Sequence, residues 1–125
     1  MNKLQKIICI GVTVLGLASC MPPKLEYSGN IEGEQVAYFE HLIYDGDFCT
    51  YDGFSQYEID ITKKDGTQIK YFCRSSKGEL ILFEKQINNG ETTRTYNRGE
   101  VLHTNEIKSG QSEVNNYINK IREFK

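Results

Sequence analysis

The sequence predicts an α+β domain: an antiparallel β-meander of about six to eight strands with one amphipathic C-terminal helix packed on one face. Three observations lead there. Glycines punctuate the chain at Gly33, Gly46, Gly53, Gly66, Gly78, Gly90 and Gly99. The last four close the triplets Lys64-Asp65-Gly66, Ser76-Lys77-Gly78, Asn88-Asn89-Gly90 and Asn97-Arg98-Gly99. A triplet of this kind suits a three-residue hairpin loop, a type I turn followed by a left-handed residue. Between the glycines lie short strand-like runs, and after Gly99 the apolar period changes from that of a strand to that of a helix.

Before the meander, Met1 to Ser19 has the layout of an export signal. Lys3 and Lys6 make a basic start, and Ile7 to Leu17 is an apolar run too short to cross a bilayer. Small residues Ala18 and Ser19 then precede Cys20. The stretch Leu17-Ala18-Ser19-Cys20 resembles the lipobox of bacterial-type lipoproteins. The resemblance implies removal of residues 1–19 and acylation of Cys20, palmitate among the acyl chains. It implies a membrane-lipid partner and a lipid-anchored place in the cell envelope. Met21, where inner-membrane retention commonly uses Asp, implies the outer membrane in a Gram-negative host. Residues 20–30, with Pro22 and Pro23, read as a short semi-rigid tether, and residues 31–125 as the single domain.

Losing Lys3 and Lys6 reduces the 15 basic side chains to 13 against 17 acidic ones, net −4. That balance argues against nucleic-acid binding, which needs a concentrated positive face.

Gln35 to Tyr44 and Asp47 to Tyr51 read as strands joined at Asp45-Gly46. Three-residue loops then set Ile59 opposite Tyr71, Ile61 opposite Ile69, Tyr71 opposite Phe83 and Cys73 opposite Ile81. The same registers align Asp60, Lys70, Glu84 and Arg94 as a ladder of alternating charge, each rung a favourable cross-strand pair. Glu100 to His103 reads as a short last strand. Val114, Tyr117, Ile118, Ile121 and Phe124 form one helical stripe. Ser112 is a suitable N-cap, and Ile107 and Gln111 extend the stripe back toward Asn105. This helix is expected on the face carrying Ile59, Ile61, Tyr71, Ile81 and Phe83.

Nothing in the domain forms a recognisable catalytic constellation. Asp45, Asp47 and Asp52 lie close together, but Cys49 and Thr50 occupy the fifth and sixth places of a calcium loop begun at Asp45. His41 and His103 lack paired metal-ligand spacing, and no phosphate loop or serine elbow is present. The expectation is therefore no enzyme, no metal and no cofactor. Cys49 and Cys73 are disulfide candidates in an oxidising compartment. A flat meander holds them two strands apart, whereas curling of the N-terminal strands joins them, so both outcomes stand.

Phe72, Leu82 and Tyr96 are expected on the face away from the helix, with Leu80 and Leu102 on the same side. Either the N-terminal strands curl over them or they meet an envelope protein partner. The free edge of the meander offers a second contact, by strand addition. The leading expectation is a non-enzymatic interaction or structural role in the envelope. Envelope lysozyme-inhibitor lipoproteins similarly join an anchor to a small cysteine-containing β domain. That resemblance implies the alternative, an inhibitor or small-ligand-binding module.

Overall fold

A computed structural model of the chain describes residues 23–44 and 51–124, and side chains within 23–41 and 56–124. The strands are β1 (Lys24–Ile31), β2 (Glu34–Tyr44), β3 (Tyr51–Thr62), β4 (Gln68–Ser76), β5 (Glu79–Asn88) and β6 (Thr93–Asn97). Among the described residues they form one antiparallel sheet in sequence order. A 3-10 turn (Val101–His103) leads into helix α1 (Thr104–Glu123).

Turn chemistry decides the registers. Between β3 and β4 the three-residue loop forms as expected: Gly66 N donates to Lys63 O at 3.0 Å, and Gly66 takes the left-handed φ of 93°. Ile59 therefore faces Tyr71 and Ile61 faces Ile69. Between β4 and β5 the loop is shorter. Lys77 and Gly78 both have positive φ, the signature of a two-residue type I′ turn. This turn sets Cys73 opposite Leu82, and a bulge between Cys73 and Phe72 then sets Tyr71 opposite Lys85. The expected pairs Tyr71–Phe83 and Cys73–Ile81 do not form. Leu82 enters the core, while Ile81 and Phe83 turn away from it. Between β5 and β6 the loop is four residues long, so Glu84 faces Asn97 and Arg94 faces Ile87. The charge ladder thus survives only as Asp60–Lys70.

Three further expectations are corrected. Residues 24–30, read as part of the tether, belong with Ile31 to the edge strand β1, which closes onto β2 through a Glu32-Gly33 turn. Gly53, read as a turn, lies inside β3. Glu100 to His103 does not extend as a strand; it turns through 3-10 geometry into α1, which begins at Thr104 and carries Ser112 on its exposed side.

The core lies between α1 and one sheet face. Ile107, Gly110, Val114, Ile118 and Ile121 are the buried stripe of α1. Opposite them sit Ile31, Val36, Ile59, Ile61, Ile69, Tyr71, Cys73 and Leu82. The helix crosses the strands diagonally. Its first turns pack on β5 and β6, Tyr117 donates to Glu34 at 2.6 Å, and Phe124 stacks on Tyr27 of β1 with ring centres 6.4 Å apart. Phe124, expected within the buried stripe, is 64% exposed. Gln111 completes the short edge that β6 leaves uncovered. Its amide accepts from Leu82 N at 2.8 Å and donates to Leu80 O at 2.8 Å.

Gly110 permits this approach. A Cβ there would stand 2.7 Å from Leu82 Cδ2 and 3.4 Å from Lys85 Cδ, and Leu82 is wholly enclosed. Gly110→Ala should therefore destabilise the domain by about 1–3 kcal/mol, outweighing a helix-propensity gain of about 1 kcal/mol. A urea midpoint above that of the parent would refute this.

Candidate functional site

The sheet face away from α1 carries a cluster of ionisable groups. Glu58, Asp60, Lys70 and His41 alternate out of β3, β4 and β2 onto this side, beside Phe39 and Phe72. No described element covers it. His41 Nε2 lies 3.0 Å from Glu58 Oε1, and Lys70 Nζ lies 4.0 Å from Glu58 Oε2. Glu58 and Asp60 stand two apart on β3, so both carboxyls project onto this face. Asp60 Oδ1 is buried without a hydrogen-bond partner.

Two carboxyls this close do not both ionise readily. Burial raises both, but at Glu58 the hydrogen bonds from His41 and Asp60 and the Lys70 charge outweigh it, holding Glu58 down at about 2. At Asp60, burial, the hydrogen bond to Glu58 and the Glu58 charge act together and push it up to about 9. The two directions make Asp60 the member of the pair that keeps a proton more readily. Beside the cluster, the Arg74 guanidinium lies 4.8 Å over the Phe83 ring, a cation–π contact.

A second feature is a cleft of about 270 Å³ at the C-terminal end of α1, lined by Glu26, Tyr38, Glu40, Tyr57, Ile118, Ile121 and Arg122. Tyr38 and Tyr57 stack 5.9 Å apart, and Tyr57 Oη donates to Glu40 at 3.2 Å. Burial, followed by neighbouring Tyr57 and Glu26, raises the Tyr38 hydroxyl above its usual range, so it stays protonated.

The third feature is a tip at the other end of α1. Val101 and Leu102 are 87% and 94% exposed. They are rigidly framed: His103 Nδ1 accepts from Asn97 N at 3.0 Å, its ring meets Tyr96 edge-on at 5.3 Å, and Thr104 Oγ1 donates to Val101 O at 3.0 Å.

The expected partner face of Phe72, Leu82 and Tyr96 does not assemble. Phe72 stays on the helix-free side, half-buried. Leu82 is fully buried beneath α1, and Tyr96, paired with Lys85, packs against the core on the helix side. The two-residue turn before β5 puts Leu82 opposite Cys73, and the four-residue loop after β5 puts Tyr96 opposite Lys85, so both face α1. Leu80 also packs against the core, and of the expected set only Leu102 is fully exposed. His41 and His103 serve opposite faces of the sheet. Among the described residues no three His, Cys, Asp or Glu side chains converge as a metal centre.

Of the two disulfide candidates, the described residues include Cys73. Cys73 is a free thiol at 0% exposure in the core, and burial pushes it up to about 12, which suppresses thiolate chemistry. Cys49 lies outside the described residues, as do Cys20, the signal-like segment and Asp45 to Thr50. No described helix is long and apolar enough to cross a membrane. From the sequence Asp60 and Lys70 align on this face, but His41 joins Glu58 only through the β2–β3 register. Comparison with protein-family models, curated proteins and solved structures gives no match, so the geometry above is what a functional reading rests on.

Proposed function

We propose that the protein is a lipid-anchored module of the cell envelope, at the outer membrane where the host has one, that holds an apolar tip for contact with another envelope protein and performs no catalysis of its own. The observation that supports this reading is the Val101–Leu102 pair. Most surfaces expose scattered apolar residues, but here two adjacent ones are almost fully exposed on a turn fixed by hydrogen bonds. A rigid apolar knob loses little conformational entropy on docking.

The tip also stands far from the lipid end. The chain emerges from the anchor at Lys24 on β1, at one edge of the sheet, while the tip follows β6 at the other edge. Five inter-strand steps place them about 24 Å apart across the sheet, and the helix between tip and Phe124 is about 30 Å long. Ser112, Asn115, Asn116 and Asn119 line the exposed side of α1 between the two ends, so one bilayer does not readily receive both. A protein is the occupant that fits the tip.

A photo-crosslinking residue placed at Leu102 of the full lipidated chain in cells should yield one discrete protein adduct, and the same residue at Asn116 none. Val101→Ser with Leu102→Ser should abolish that contact without changing the unfolding free energy by more than about 0.5 kcal/mol, since neither side chain is buried. Absence of an adduct at 102, or the same adducts at 116, would refute the reading. The cleft between Tyr38 and Arg122 favours a second reading, an inhibitor or small-ligand module. Inhibition of lysozyme by the purified domain, retained in the Val101→Ser/Leu102→Ser variant, would establish it in place of the first.

A further inference from the structure

We propose that the corner where β1 begins and α1 ends is a membrane-contacting surface, seating Leu25 and Phe124 at the headgroup–acyl boundary of the bilayer that holds Cys20. This rests on the lipid-anchor reading and adds an orientation to it. The argument starts from the length of chain outside the described residues. Because residues 24–31 are a strand rather than a tether, only four peptide steps separate Cys20 from Lys24. Fully extended, they reach about 14 Å. Pro22 and Pro23 stiffen that link, yet it is too short to let the domain tumble freely above the lipid.

Whatever flanks Lys24 is therefore held at the headgroups, and what flanks it is apolar. Among the described residues four large hydrophobic side chains are exposed: Leu25, Val101, Leu102 and Phe124. Two of the four stand at this corner. Leu25 is 54% exposed and pairs with Phe39, so it lies on the helix-free side of the β1 edge. Phe124 is 64% exposed and stacks on Tyr27, so it lies on the helix side. The two straddle the edge strand. Lys24 is exposed at the same place, 3.6 Å from Glu26, and Arg122 is exposed in the last turn of α1, two residues before Phe124. An aromatic ring and an aliphatic chain beside cations that can reach phosphates is the composition of an interfacial contact.

An edge strand that presents unpaired backbone groups would otherwise invite aggregation. Turned toward the headgroup layer, those groups meet water and phosphate instead of another sheet. The orientation also points the Val101–Leu102 tip away from the membrane.

The test removes the lipid. All core residues fall between Ile31 and Ile121, so a chain starting at residue 20 with Cys20→Ser keeps the whole described fold. Its co-sedimentation with phosphatidylethanolamine/phosphatidylglycerol vesicles should be measurable. It should fall about tenfold in Leu25→Ser/Phe124→Ser and stay at the parent level in Val101→Ser/Leu102→Ser. Leu25→Ser alone, on the face away from α1, should give part of the loss with an unchanged urea midpoint. No binding by the non-acylated parent, or equal losses in both double variants, would overturn the proposal. Labelled palmitate on the full chain decides the anchor separately. Vesicle binding without acylation would sustain the surface and sink the anchor, and acylation without vesicle binding the reverse.

Discussion

Asp60→Asn should stabilise the folded domain at neutral pH by about 2–4 kcal/mol and remove most of its loss of stability above about pH 4. In the parent, the folded state keeps a proton on Asp60 that the unfolded chain releases near the ordinary value of 3.8, while the folded value is about 9. Between those values the native state binds more protons, so stability falls as pH rises and is fully lost to this group only above about 9. Glu58 works in the opposite direction. Its folded value is about 2 against 4.5, so its contribution is present above 4.5 and lost as pH drops toward 2. The pair alone thus places the stability maximum near pH 4, between the two windows. Asparagine preserves shape and can donate to Glu58 without a proton to release. Urea midpoints at about pH 5, 7 and 8.5 read the effect directly. A variant whose midpoint falls between pH 5 and 8.5 as steeply as the parent's would show that Asp60 is not the protonated member.

How much of this was legible depends on turn type at each hairpin. Asp65-Gly66 announces a three-residue loop, and the β3–β4 pairing, Ile59 to Tyr71 and Ile61 to Ile69, follows from it. Lys77-Gly78 looks similar on paper, but a lysine at φ 52° converts the loop to two residues. Lysine has little preference for that conformation, so the residue type gave little warning. The shorter turn seats Leu82 rather than Phe83 against α1, and the bulge beyond it brings Lys85 opposite Tyr71; Gly110 admits the Leu82 side chain and the Gln111 amide caps the freed edge. Such a fit is tertiary and has no local signature. The edge strand β1 hid behind Pro22-Pro23 and the turn-like run Ser28-Gly29-Asn30. Its signals were Leu25, Tyr27 and Ile31 and the Glu32-Gly33 turn. The helix was legible from its stripe, because 3.6-residue periodicity survives whatever the sheet does. The tip was not, since Leu102 had been assigned to a strand.

The register shift also buried a charge, and this carries the second large prediction. Lys85, opposite Tyr71, is 4% exposed. Its Nζ reaches Glu113 Oε1 at 3.1 Å and Glu106 Oε2 at 3.3 Å, and lies 5.6 Å from the Tyr71 ring centre. Tyr71 Oη donates to Glu113 Oε1 at 2.6 Å, tying the network to the core. The burial is lopsided. The two glutamates are 41% and 43% exposed and can hydrate if Lys85 leaves, whereas Lys85 cannot hydrate if they do. Glu106→Gln/Glu113→Gln should therefore cost about 3–5 kcal/mol, the penalty for stranding a buried charge. Lys85→Met, which keeps the apolar stem and removes the charge, should change stability by about 1 kcal/mol or less in either direction. Combining all three substitutions should recover most of the loss, giving a coupling of about 2–4 kcal/mol. Against a total stability of about 5–15 kcal/mol, the double glutamine variant will be close to unfolding at physiological temperature while the triple variant is not. The ordering is the test. If Lys85→Met proves more damaging than loss of both carboxylates, the network acts through Lys85 packing rather than through its charge.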